Sequence, residues 1–190
     1  MPLSVVTPAT QEPLTVIEAK AHLHIEGNDS DAYIGTLISS ARSHVEKHLL
    51  RTLTTTTLKL SLDFFKIIIE LKRGPVQEVT NIKYIDTNGV VQTLPVSEYQ
   101  VDLESEMPRI CPAYSKSWPS TQPGLNAVNI EYKSGYGDDG ESIPESIKHA
   151  MLLLIGHWFV NRETVLVGTS QTSMDFTTTA LLAPFKLPNI

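Results

Sequence analysis

The sequence predicts an α+β protein: a helical core of three main helices plus a short C-terminal helix, with a small antiparallel β insertion between helices 2 and 3. Two stretches, residues 30–50 and 142–163, carry apolar side chains at helical spacing. Between them the period falls to two and turn residues punctuate short β-rich runs. The chain has 190 residues, 41% hydrophobic and 19% charged, enough for one ordinary domain with its own core. The expected layout is a single domain over 1–190. Residues 1–13 are an N-terminal arm, 14–51 helices 1 and 2, 52–134 the β insertion, 142–163 helix 3 and 164–190 a C-terminal arm.

The arm carries Pro2, Pro8 and Pro13 and little periodicity, so it reads as extended and mobile unless docked. Helix 1 starts after Thr15. Thr15 and Glu18 have capping-box spacing, in which each side chain satisfies an N–H of the first turn, and Leu14 can staple the start. Gly27, Asn28 and Asp29 end it. Helix 2 is the clearest element. Ile34, Leu37, Ile38, Ala41, Val45 and Leu49 make one apolar stripe. Ser39, Ser40, Ser43, Glu46 and Lys47 are expected on the opposite, solvated side.

From Thr54 to Leu62, Leu58, Leu60 and Leu62 alternate with Thr57, Lys59 and Ser61. Further strands are expected at Ile67–Leu71, Val79–Ile85, Val90–Leu94, Tyr99–Asp102, Arg109–Cys111 and Val128–Tyr132. Asn88-Gly89 is a strong hairpin signal between two of them. In helix 3, with Pro144 in its first turn, Ile147, Met151, Leu154 and Trp158 form one stripe and Leu152, Ile155 and Phe159 another. A helix apolar nearly all round is covered on more than one face, by the β insertion or by another subunit. Ala180–Phe185 is a last helical turn stopped by Pro184.

The composition excludes more than it names. Fifteen Lys and Arg stand against 21 Asp and Glu, a formal charge of −6, which argues against a basic nucleic-acid binder. A single cysteine, Cys111, excludes an internal disulfide and a multi-cysteine metal site. No signal peptide and no membrane-spanning run is expected: the longest apolar stretch, Ala150–Gly156, is far short of the ~20 residues a spanning helix needs. His44 and His48 share a helix face, but the zincin pattern puts Glu directly after the first His and here Glu46 is two residues on. His22, His24, His149 and His157 lack acidic partners at ligand spacing. Gly135–Gly140 is glycine-rich without the Lys-Ser/Thr of a phosphate loop. No cofactor and no catalytic residue is expected. A small metal-dependent hydrolase using His44, His48 or the Asp138/Asp139 loop, and a DNA-packaging accessory protein, are the alternatives to a structural role. Acidic residues gather at Asp86–Glu106 and at Asp138–Glu145.

An ordered set of short segments then resembles a known family. Leu14-Thr15 with Glu18–Leu23 looks like its first helix, and Asp29/Asp31 through Val45-Glu46 its second. Arg73–Val76, Ile82–Tyr84, Tyr99–Asp102, Arg109-Ile110 and Trp118-Pro119 resemble its strand motifs. Gly135–Gly137, Ile143-Pro144, Ile147-Lys148, His157–Phe159, Asn161–Glu163 and Leu181–Phe185 resemble its closing elements. The set is similar to the head–tail connector (adaptor, head-completion) proteins of tailed phages and prophages. That resemblance implies a structural, non-enzymatic protein in a ring of roughly a dozen subunits, closed by heterologous contacts. The ring would join the portal to a tail-side protein, in the host cytoplasm during assembly and at the head–tail junction of the virion. DNA would pass through without specific binding. Expected contacts with the portal or neighbouring subunits are Trp158, Phe159, Asn161, Arg162, Glu163, Leu181, Leu182 and Phe185. Glu104, Glu106, Asp138 and Asp139 are the expected channel-facing carboxylates. A duplex carries one negative charge per about 1.7 Å, so carboxylates there keep it sliding.

Overall fold

A computed structural model describes residues 2–162 and 172–187. The chain divides into two compact units, interleaved in sequence. The first takes the residues up to Ala9 together with Thr55–Tyr136, and the second takes Thr10–Thr54 with the residues from Gly137 onward.

The first unit is built of strands, with one 3-10 turn at Val96–Glu98. A five-stranded antiparallel sheet has the order β1-β2-β8-β4-β5, built from Leu3–Thr7, Thr56–Leu62, Val128–Ser134, Val76–Ile85 and Val91–Thr93. A three-stranded sheet has the order β3-β7-β6, from Ile69–Glu70, Arg109–Pro112 and Tyr99–Asp102. Register explains the core. Leu58, Leu60 and Leu62 stand opposite Tyr132, Ile130 and Val128, and Ile130 also stands opposite Ile82. On the smaller sheet Ile69, Ile110 and Val101 align. These inward residues of both sheets form one apolar cluster. Tyr132 is fully buried, and its hydroxyl donates to the Lys72 carbonyl at 2.8 Å. Burial pushes that phenol's pKa up. Phe65 stacks on Trp118 at 4.7 Å and meets Tyr84 edge-on. The Asn88-Gly89 signal makes the β4–β5 hairpin, with Gly89 at φ +80° and its N–H donating to the Asp86 carbonyl.

The second unit holds α1 (Val16–Leu23), α2 (Asp31–Leu49), α3 (Glu145–Val160), α4 (Thr172–Leu182) and a short 3-10 turn, Ala183–Phe185. The capping box forms: Glu18 N–H donates to Thr15 Oγ1 at 3.2 Å, and Thr15 N–H donates to Glu18 Oε2 at 2.7 Å. Those bonds hold the Glu18 carboxyl below its usual pKa. The whole α2 stripe, from Ile34 to Leu49, is buried. So are Ile147, Ala150, Met151, Leu154 and Ile155 of α3. Trp158, at the end of the first α3 stripe, is only half-buried. No described helix is long and apolar enough to cross a membrane.

Three expectations change here. The fold is not a three-helix core with a small β insertion. It has four helices and eight strands in two antiparallel sheets, and the strand-bearing unit dominates the bulk of the core. Among the described residues, the largest fully buried side chains include Tyr132, Leu58, Leu60, Ile69, Leu71, Ile82, Ile110 and Ile130 there, against Ile34, Ile38, Leu49 and Leu53 in the helical unit. The reason is non-local pairing: segments short enough to read as an insertion join across long sequence gaps into two sheets with a shared interior. Second, the N-terminal segment is docked as a strand, because Leu3, Ser4 and Val5 pair with Leu60, Lys59 and Leu58. Third, Glu46 is buried rather than on a solvated face. Its Oε1 accepts the Leu53 N–H at 2.9 Å, and Arg42 lies beside its Oε2 at 3.5 Å.

Candidate assembly surface

The C-terminal end of α3 gathers Tyr33, Trp158 and Phe159 of the helical unit. Helical spacing puts Phe159 beside Tyr33 of α2, with ring centroids 5.8 Å apart. The Arg162 guanidinium sits over both rings, 4.8 Å from Tyr33 and 4.9 Å from Phe159. A cation over two π faces is held by their quadrupoles, which fixes an otherwise mobile side chain. The Tyr33 hydroxyl donates to the Trp158 carbonyl at 3.4 Å. Trp158 meets His44 edge-on at 6.0 Å. Val160 beside them is exposed. Asn161 closes the helix: its N–H and its Nδ2 each donate to the His157 carbonyl at 2.9 Å.

A second group lies after α4. Leu182 is buried, and Leu181 and Phe185 are half-buried. The Phe185 carbonyl accepts from Arg51 Nε at 2.5 Å, and the Leu187 N–H donates to the Leu49 carbonyl at 3.0 Å. These bonds satisfy groups at the α2 C-terminus and bind the last described residues to it. Glu163 lies outside the described residues. Of the expected contact residues, Trp158, Phe159 and Arg162 thus form one packed cluster, Leu182 fills the unit's interior, and Asn161 is a helix cap. Tyr33, which holds the cluster together, was missed in the sequence because it falls off the α2 stripe; only its spacing next to Ile34 hinted at it.

The acidic residues divide between the units. Glu104 and Glu106 are exposed between β6 and β7. The neighbouring Asp102 accepts the Glu104 and Ser105 N–H groups and pairs with Arg109 Nε at 2.9 Å. Those bonds, the Arg109 bond first, lower the Asp102 pKa. Asp138 and Asp139 are exposed ahead of α3, where Asp139 accepts the Glu141 N–H at 3.2 Å. The strand unit holds eight Lys and Arg against nine Asp and Glu, and the helical unit seven against twelve. The charge of −6 is therefore −1 and −5.

The histidines do not assemble a metal centre: among the described residues no three His, Cys, Asp or Glu side chains converge to hold one. His22 and His149 meet edge-on at 6.4 Å beside a cleft of about 350 Å³ lined also by Leu14, Glu18, Glu145 and Lys148. Burial first, then Lys186 and His44, lowers the His48 pKa.

The same fold occurs in solved particle structures. The neck of an empty GTA particle, computed with C6 symmetry, contains a chain that superposes with a TM-score of 0.83 at 21% identity, covering 100% of this chain and 97% of that one. The virion of a native gene transfer agent particle gives the same values. The neck of a native GTA particle computed with C12 symmetry gives 0.78 at 22%, again over 100% and 97%. No curated protein matches the chain. The family model of the head completion proteins matches residues 12–185, which spans nearly all of both units, and the chain belongs to that family.

Proposed function

We propose that this chain is a subunit of a ring, of about a dozen copies closed by heterologous contacts, that joins a phage portal to the tail-side proteins and continues the DNA channel. The observation that carries the reading is the family match over residues 12–185, which makes the chain a structural head completion protein. The likeness in fold to chains from particle necks solved with C6 and C12 symmetry supports a cyclic arrangement. The Tyr33–Phe159–Arg162 cluster, with Trp158 and the exposed Val160, supplies a rigid surface for the portal or a neighbouring copy. Rigid aromatic and Arg anchors lose little entropy on binding and dominate interface energetics. Leu181 and Phe185 extend the contact surface. Glu104, Glu106, Asp138 and Asp139 face the channel, and the −5 charge of the helical unit supports such a role for Asp138 and Asp139. The ring assembles in the host cytoplasm and ends at the head–tail junction.

The test is electron microscopy and native mass spectrometry of the purified chain, alone and with its portal. Rings on the portal are expected. A stable dimer with no higher assembly, even with portal present, would overturn the reading. Arg162→Ala should leave the subunit folded and weaken portal joining at least tenfold.

A further inference from the structure

The five-stranded sheet ends in two open edges among the described residues, β1 on one side and β5 on the other. An open edge is a row of unpaired N–H and C=O groups, and soluble proteins usually blunt it with charge or proline. Neither strand is blunted by charge or proline within it; β5 is only three residues long, and the β1 register shifts between Val5 and Thr7, so the regular part of that edge ends at Val5. β1 reads Leu-Ser-Val-Val-Thr and β5 reads Val-Gln-Thr, with no charge and no proline in either. Both carry exposed valines: Val5 at 58% and Val6 at 46% on β1, and Val91 at 64% on β5, preceded by Val90 at 53%.

The ladder fixes which backbone groups are free. The Ser61 N–H donates to the Pro2 carbonyl, so in an antiparallel pair Pro2 and Ser4 face β2 while Leu3 and Val5 face outward. The Asp86 N–H donates to the Val90 carbonyl and the Leu94 N–H to the Ile82 carbonyl, so Val91 and Thr93 face outward on β5. Each edge therefore offers two outward residues spaced by two. Parallel pairing needs this pattern, because one residue bonds to two partners that are themselves two apart. The direction also matches. All neighbouring strands in the sheet are antiparallel, and the sheet has five, so its first and last strands run the same way. Beside β1, Phe64 is 61% exposed and shares a cleft of about 100 Å³ with Pro2 and Leu62. Ser61, Asp63 and Lys66 complete the lining of that cleft, which adjoins the strand. Two different, mutually compatible edges at opposite ends of one sheet suit head-to-tail closure, whereas a two-fold contact joins identical edges in antiparallel fashion.

We infer that the β1 edge of one copy pairs in parallel with the β5 edge of the next, so that the sheet continues across the subunit boundary. The occupant of the β1 edge is a second copy of this chain. The inference rests on the ring reading above, names one interface within it, and is tested separately. In full-length protein with Cys111→Ser, one cysteine is placed on β1 (Val5→Cys or Val6→Cys) and one on β5 (Val91→Cys or Gln92→Cys). Disulfides need Cα atoms within about 7 Å, so they form only between adjacent strands. After mild oxidation of assembled rings, non-reducing gels are expected to show a ladder of covalent multimers for at least one pair. Single-cysteine controls should stay monomeric. Rings that assemble normally with no pair cross-linking overturn the edge pairing and leave the ring reading standing. Val5→Cys or Val6→Cys alone giving a covalent dimer means a two-fold β1–β1 contact and overturns the pairing as well. Absence of rings from the unsubstituted protein, alone and with portal, overturns the ring reading and the pairing with it. Circular dichroism matching the parent chain separates these outcomes from misfolding.

Discussion

The two units solve the same problem with different chemistry. The strand unit carries almost no net charge and holds its interior by register: one slip would turn Leu58, Leu60 and Leu62 out to solvent. The helical unit carries −5 and depends on single anchoring groups, such as the Thr15 cap, the Glu46 carboxylate beneath Leu53, and the Leu187 N–H on Leu49. A register-locked core suffers most when volume is removed from it. The helical unit adds to its buried apolar stripes a set of polar anchors that can be removed one at a time, and a histidine that responds to pH.

Two substitutions probe that contrast most strongly. Tyr132→Ala removes a fully buried ring and its bond to the Lys72 carbonyl, and is expected to cost about 4 kcal/mol. Chemical denaturation should show it, and Tyr132→Phe should cost only about 1 kcal/mol, the value of the lost hydrogen bond. Equal losses for the two would mean that the hydroxyl, not packing, holds the strand core. In the helical unit Glu46→Ala leaves the Leu53 N–H without its acceptor and Arg42 without one of its partners, at about 2 kcal/mol. Glu46→Gln keeps an acceptor and should recover more than half of that loss. If Glu46→Ala is neutral, the unit is held by its apolar stripe alone. Trp158→Ala belongs below both, since its ring is half-buried where the α3 stripe had suggested a core position.

What was legible in the sequence was local. The capping box, the α2 stripe and the Asn88-Gly89 hairpin each depend on residues within one or two turns of each other, and each forms. β1 was not legible: five residues between prolines carry too little pattern, and its partner strand begins at Thr56. The share of the core held by strands was hidden for the same reason. Individual strands can be read from alternation, but the order β1-β2-β8-β4-β5 is set by pairings across long gaps. In the candidate assembly surface, Phe159 belonged to an α3 stripe and Arg162 entered only through the family resemblance of Asn161–Glu163, whereas their partner Tyr33 lies far away in sequence and off its helix's apolar stripe.

The smaller effects sharpen the polar side of the contrast. Thr15→Ala removes the acceptor of the Glu18 N–H and should cost about 1 kcal/mol of helical-unit stability. Thr15→Ser should cost almost nothing, because it keeps the hydroxyl. A loss for Thr15→Ser equal to that for Thr15→Ala would mean that the methyl group, not the cap, matters.

The last effect is a pH dependence carried by His48. Its folded pKa lies below the ordinary 6.5, through burial and then the repulsion of Lys186 and His44. The unfolded chain therefore binds the proton more readily than the folded one, and stability rises with pH wherever that holds. The contribution is fully present above pH 6.5 and is lost as the pH falls from there through the lowered folded value. Protonated His48 would face Lys186 at the segment whose Leu187 N–H is bonded to Leu49, so the strain falls on the anchor of the last described residues. Carboxylates such as Glu18, held low by its cap, lose their contribution only at more acidic pH and do not mask the effect. Melting temperatures across pH 6.5 should fall on acidification in the parent chain and fall less in His48→Gln, which cannot take up the proton. Parallel curves for the two would place the pH sensitivity elsewhere and leave His48 a spectator on α2.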